Sequence, residues 1–184
     1  ASTASIQLAK LVDGGLLEVE RTGRHRYYRL ADPTVAAAIE SLAVLAPHRA
    51  ASSLKQARVG SELHAARTCY DHLAGALGVA LLEGLQRQRL LTPKLEVTPR
   101  GTDRFAKLGI EIQELARGRR PLTRACLDWT ERRHHLAGAL GAAMATSFLE
   151  RDWIERRPGS RAVRLTEGGR RGLTRALHVH VDGR

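Results

Sequence analysis

The sequence predicts a mainly α protein with short β-hairpins, and three observations carry that prediction. Apolar residues make up 43% of the 184, aromatics only 4%. Ala and Leu dominate that apolar set, which favours helices over a β-sandwich. Three segments, Leu8–Pro33, His72–Gly101 and His135–Gly169, share one plan: apolar helix, turn, short hairpin, helix start. The letters HLAGALG occur twice, at His72–Gly78 and His135–Gly141. The expected organisation is a first module over 1–46, then two helix–hairpin–helix repeats over 59–117 and 122–184. Gly118–Pro121 and Ala46–Arg58 are the expected breaks.

The elements follow in chain order. Ala1–Leu11 has an apolar side from Ile6, Leu8 and Leu11, with small polar residues at its start, and reads as a short helix. Gly14-Gly15 supplies a C-cap. Leu17, Val19 and Tyr27–Leu30 suit strands about a turn at Thr22-Gly23, with one of Tyr27 and Tyr28 anchoring the hairpin. Pro33 opens a helix to about Leu45. A long helix is expected from about Val59 to Arg89, because Leu63, Ala66, Cys69, Leu73, Leu77 and Leu81 fall at helical spacing. A tight hairpin about Pro93-Lys94 and a helix from Pro99 to Arg117 come next. Thr123–Leu149 is expected to match the long helix. Strands then flank Pro158-Gly159-Ser160, and a helix runs from Gly169 to Val179. Gly75/Gly78 and Gly138/Gly141 predict a close approach between the two long helices or across a dimer.

Charge points to a polyanionic partner. The net charge is +11 and the isoelectric point about 10.9. The surplus concentrates in residues 119–184, where 14 basic residues face 7 acidic ones.

Residues 1–30 carry the features of a DNA-reading element. Ser2, Thr3, Ser5, Gln7 and Lys10 front the first helix, with side chains suited to base edges and phosphates. Arg21, Arg24, His25 and Arg26 crowd the hairpin tip, where they suit phosphate or minor-groove contact. The stretch resembles the winged-helix repressors of the ArsR/SmtB kind, whose recognition helix and wing read S-x-x-S-x-H-L-x-x-L, G-L-V/L, G-R and Y-x-L. Here those positions are Ser2, Ser5, Gln7-Leu8, Leu11, Gly15-Leu16-Leu17, Gly23-Arg24 and Tyr28-Arg29-Leu30, with Gln7 in place of the family's His. Longer relatives carry segments like Cys69–Gly75 and Leu127–Gly138. The resemblance implies a homodimeric, sequence-specific repressor on a double-stranded DNA operator, released by an effector that is often a metal ion. It also implies helices ahead of the recognition helix. The sequence starts at Ala1 and its only methionine is Met144, so those helices are expected to be missing and Ala1–Leu11 poorly supported.

The sensor candidates are Cys69, Asp71 and His72, with Cys126 and His135 to complete a site and Asp128 and His134 nearby. On a helix, Cys69 and His72 would share a face at i, i+3, as would Asp128 and His135 seven apart. A mixed Cys/His/Asp set suits Zn, Ni or Co. The two cysteines also suit a redox pair, and a buried Cys is equally a small hydrophobe. Aligning the repeats on HLAGALG sets Arg132, not Cys126, opposite Cys69, which argues against a symmetric ligand set. A buried apolar effector pocket between the repeats is the other expectation.

The basic residues Arg156, Arg157, Arg161, Arg164, Arg170 and Arg171 suit either a second DNA-contacting wing or a solvated rim. His178-Val179-His180 reads as a frayed end. No H-E-x-x-H, P-loop, nucleophile elbow or Rossmann fingerprint occurs, so an enzyme is not expected. An effector-independent nucleic-acid architectural protein remains the alternative. No apolar run has the length of a membrane span, and two cysteines are too few for a disulfide framework; a cytoplasmic protein is expected.

Overall fold

The computed structural model describes residues 2–46 and 51–181; Ala1, 47–50 within the expected linker, and 182–184 at the end of the last expected repeat lie outside them. The chain divides into two compact units, Ala1–Ala43 and Val44–Arg184. It is rich in helix, with short two-stranded antiparallel hairpins, as expected.

The first unit holds α1 (Thr3–Asp13), β1 (Leu17–Thr22), β2 (His25–Leu30) and the start of α2 (Pro33–Leu45). Ser2 caps α1, its hydroxyl accepting from Ser5 N. At the other end Leu16 N donates to Leu11 O and Gly15 N to Val12 O, with Gly15 at φ +70°. This is the Schellman closure that only a residue tolerant of the left-handed region makes without strain. Thr22 pairs with His25, so Gly23-Arg24 forms the two-residue turn, one residue later than expected. Gly23 at φ +59° fits the positive φ that such a turn needs at its first position. Asp32 caps α2 by accepting from Thr34 N and Val35 N. No residue of α1 is buried, and Ile6, Leu11 and Leu16 are exposed.

The second unit opens with α3 (Leu54–Ala65), capped by Ser53 inside the stretch expected to be linker. The long helix expected over Val59–Arg89 does not form. After α3 come β3 (Arg67–Cys69), a turn, β4 (His72–Ala74) and then α4 (Gly75–Arg87). Tyr70 at φ +58° and Gly75 at φ +76° each interrupt helical geometry. The apolar stripe misled because β3 and β4 are buried at every residue, so no alternation betrays them. The helix expected over Thr123–Leu149 breaks in the same way. It becomes β5 (Arg124–Leu127), β6 (His134–Ala137) and α7 (Gly138–Glu150), with Gly138 at φ +90°.

The remaining elements are shorter than expected. The tight hairpin reduces to a single bridge, Leu91 with Val97. Pro99–Arg117 splits into α5 (Pro99–Ala106) and α6 (Ile112–Ala116), with Gly109 at φ +72° between them. The last hairpin, β7 (Ile154–Arg156) with β8 (Val163–Leu165), lies about the expected turn, and α8 (Glu167–Leu177) begins and ends two residues before the expected helix.

Phe105, Leu85, Leu140, Phe148 and Leu177 are completely or nearly completely buried in one apolar cluster. Two reciprocal packings organise it: α4 lies on β6, and α7 lies on β4. A Cβ on Gly78 would sit 2.5 Å from Leu73 O and 3.4 Å from the Cβ of His135. A Cβ on Gly141 would sit 2.6 Å from Leu136 O and 3.3 Å from the Cβ of His72. Gly78 and Gly141 therefore serve helix-on-strand contact, whereas a Cβ on Gly75 would meet the α3 carbonyls of Leu63 and His64. Gly78 and Gly141 each let one helix lie against the histidine strand of the other hairpin.

Candidate metal centre and basic hairpin

Each of these two hairpins contributes one cysteine and one histidine as direct cross-strand partners. Cys69 pairs with His72 in β3–β4, and Cys126 with His135 in β5–β6. The i, i+3 helical geometry is thus replaced by strand register, with the same consequence: both side chains face one side. The ligand atoms of all four residues lie within 4.8 Å of one another, and all four residues are buried.

The histidine rings meet through Nε2, with the two Nε2 atoms 3.2 Å apart. Tetrahedral zinc with Zn–N of about 2.0–2.1 Å separates two nitrogens by roughly 3.3–3.4 Å. The histidine pair is already close to that spacing, and the four ligand atoms, within 4.8 Å of one another, would draw together around a four-coordinate ion. The soft thiolate and borderline imidazole donors suit Zn or Co more than a hard cation.

The outward nitrogens face carboxylates. His72 Nδ1 is 3.2 Å from Asp71 Oδ1, and His135 Nδ1 is 3.5 Å from Asp128 Oδ2. Arginines hold both carboxylates in place. Arg120 grips Asp71 with two nitrogens, and fully buried Arg67 donates to Asp128 at 3.0 Å. Asp128 also accepts from Gly75 N at the start of α4 and from Thr130. Asp71, also expected as a candidate ligand, lies outside the four-residue cluster and is held between His72 and Arg120. Its carboxylate orients His72 through a hydrogen bond, whereas Asp128 lies beside His135 Nδ1 at 3.5 Å without a hydrogen bond to it. His134 is exposed, because neighbours on a strand face opposite ways. His178 and His180 are exposed and outside the cluster.

Of the four candidate ligands, one thiol and one imidazole are shifted, each toward its charged form. The Cys126 thiol is held far below its ordinary value by its hydrogen bond with Cys69, against the opposing effect of burial, and then by His135 and His72. Burial works against ionised Asp71, yet His72 and Arg120 hold its carboxyl well below the usual range. Burial likewise opposes ionised Asp128, and Thr130, Gly75 N and Arg67 outweigh it. His72 is raised: burial pulls it down, and Asp71 and Cys126 more than offset that.

The chain is 46% identical over 182 residues to YdfF, an uncharacterized HTH-type transcriptional regulator of Bacillus subtilis strain 168. The match covers 97% of this chain and 80% of that protein. This chain belongs to the HTH-type transcriptional regulators. No protein-family model and no solved structure matches it.

In this regulator the residues singled out on α1, namely Ser2, Thr3, Ser5, Gln7 and Lys10, are all exposed. Arg21, Arg24, His25 and Arg26 are exposed as well, and among the described residues none of them has a carboxylate partner. Tyr28 is the half-buried one of the tyrosine pair. The later basic hairpin is less free: Arg164 pairs with Glu155, Arg171 with Glu167, and Arg170 donates to Val181 O. No helix of the described residues is long and apolar enough to cross a membrane.

Sequence reasoning missed Arg67 and Arg120 and the likeness of the segments around Cys69 and Cys126. A signal was available: Arg67-Thr-Cys69-Tyr-Asp71 and Arg124-Ala-Cys126-Leu-Asp128 share R-x-C-x-D. In the second segment six residues, Trp129–His134, separate that motif from His135, where none intervenes before His72. An ungapped alignment on HLAGALG hides the match.

Proposed function

We propose that this chain is a DNA-binding transcription regulator, of the ArsR/SmtB type and homodimeric, whose affinity for its operator is set by a metal ion held by Cys69, His72, Cys126 and His135. In this reading, 59–117 and 122–184 are two copies of one module, each supplying a Cys-His pair, and the ion joins them. The α1 residues Ser2, Thr3, Ser5, Gln7 and Lys10 read the major groove, and Arg21, Arg24, His25 and Arg26 form a wing on the backbone or minor groove. The single observation that carries the metal reading is the burial of two thiols and two imidazoles with their ligand atoms within 4.8 Å. The outward-facing basic hairpin and the homology to an HTH-type regulator support the DNA reading. Metal acts on DNA binding only if the DNA-competent and incompetent states bind it unequally.

Two measurements test this together: metal content of the purified regulator by mass spectrometry, and binding to its own promoter DNA with and without chelator. One Zn or Co per chain, with DNA affinity changed at least tenfold by chelation, is the expected result. A metal-free protein that cannot be loaded ends the metal reading. Binding that is equally tight on unrelated DNA and steeply salt-dependent replaces the regulator with an architectural protein.

A further inference from the structure

The second unit contains a cavity of about 470 Å³ that the metal centre does not use. Its size falls within the roughly 300–1,000 Å³ range of small-molecule sites. It lies where the β7–β8 hairpin docks along β3, through the Arg67–Ala162 bridge and the bonds Thr68 N to Arg161 O and Val163 N to Ala66 O. One face of α4 lines it, with Ala76, Ala80, Glu83 and Arg87 at helical spacing. Small residues stand where a larger side chain would fill the space, and Ala65, Ala66, Leu77 and Val163 complete an apolar floor.

The charges on its rim are unequal. Two of the three acidic residues have an arginine partner, Glu62 with Arg58 and Glu83 with Arg133, and Glu131 lies 3.0 Å from His64 Nε2. Of the basic residues, Arg164 is held by Glu155, whereas Arg87 and Arg157 have no carboxylate partner among the described residues. Arg170 donates only to a backbone carbonyl, which leaves its charge uncompensated. An apolar floor beneath unpaired guanidinium groups is complementary to an anion with an apolar body. Guanidinium is the side chain best matched to a carboxylate or sulfonate head.

We infer that this cavity is a second ligand site of the regulator, for a small organic anion whose acidic head engages Arg87 and Arg157 and whose apolar body rests on Ala66, Leu77 and Ala80. The site stands apart from the metal reading, since none of its residues is one of the four ligands. It is nevertheless built on α3 and α4, the helices on either side of the Cys69–His72 hairpin.

The test uses two dyes with the same rings, anionic 8-anilinonaphthalene-1-sulfonate and uncharged N-phenyl-1-naphthylamine, titrated by fluorescence into the full chain with its metal content measured. The wild type is expected to bind one sulfonate dye per chain and to bind the neutral dye at least tenfold more weakly. The double variant R87S/R157S is expected to weaken the sulfonate dye at least tenfold and the neutral dye less than twofold. The A80W variant, which fills the floor, is expected to abolish both, with metal content unchanged. Any one of three results overturns the inference: no saturable sulfonate binding, equal binding of the two dyes, or sulfonate affinity unmoved in the arginine variant. Should A80W fail to fold by circular dichroism, the arginine variant decides alone. Loss of metal without loss of dye binding would fault the metal reading and leave this one standing.

Discussion

In β1–β2 the polar side chains stand in solvent: Arg21, Arg24, His25 and Arg26 are exposed, and α1 before them buries nothing. In β3–β4 and β5–β6 the polar side chains turn inward: Cys69, His72, Cys126 and His135 are buried, with Arg67 and Asp128 sealed behind them. The three hairpins are all short and antiparallel. What differs is what covers them. The paired hairpins are each overlaid by a helix that starts at the other, so their polar groups must satisfy one another. Charge on the exposed hairpin stays available for a partner, while charge in the buried pair is spent on positioning.

The sharpest break of that contrast is Arg67→Ala. It strands the Asp128 carboxylate in a buried site, and urea unfolding should show a loss of about 3–5 kcal/mol. Arg24→Ala on the exposed hairpin should stay within about 0.5 kcal/mol. Similar losses at the two positions would erase the distinction.

Next in size is ligand removal. Cys69→Ser or Cys126→Ser should lower metal affinity by more than about 100-fold in competition with a chromogenic chelator. Asp71→Asn, which alters the group between Arg120 and the outward nitrogen of His72, should lower it roughly 10–100-fold. Equal and negligible effects of the three would show that the cluster is a hydrophobic core with polar names.

Glycines sharpen the comparison further. Gly78→Ala and Gly141→Ala each drive a methyl toward a backbone carbonyl and should cost about 1–3 kcal/mol by thermal or urea unfolding. Gly60, inside α3 with nothing near its Cβ position, should tolerate alanine with a gain of about 0.4–1 kcal/mol.

The smallest expected effect on the fold is the most informative for function. Arg24→Ala with Arg26→Ala should leave the unfolding midpoint unchanged and weaken operator binding about tenfold. The slope of log affinity against log salt should shrink by roughly one for each phosphate that the variant no longer neutralises. An unchanged slope measured on the operator would remove the wing assignment.

By itself the sequence determined the local pieces of this protein. Gly15, Gly23 and the Asp32-Pro33 pair place the ends of α1, the first hairpin turn and α2 within a residue or so, because caps and turns depend on a few neighbours only. Cys69, His72, Cys126 and His135 could be named as candidates from residue type alone. Tertiary structure decided how they meet. β3 and β4 are buried at every residue and carry no alternation, and β5 and β6 are only four residues each, so all four read as helix until the packing of α4 on β6 and of α7 on β4 is seen. How the Asp71 carboxylate is held depends on Arg120, which is 49 residues away in the chain. The match between Cys69 and Cys126 depends on a six-residue loop that only the strand register reveals. Burial and long-range pairing are properties of the folded chain, and no local window of residues contains them.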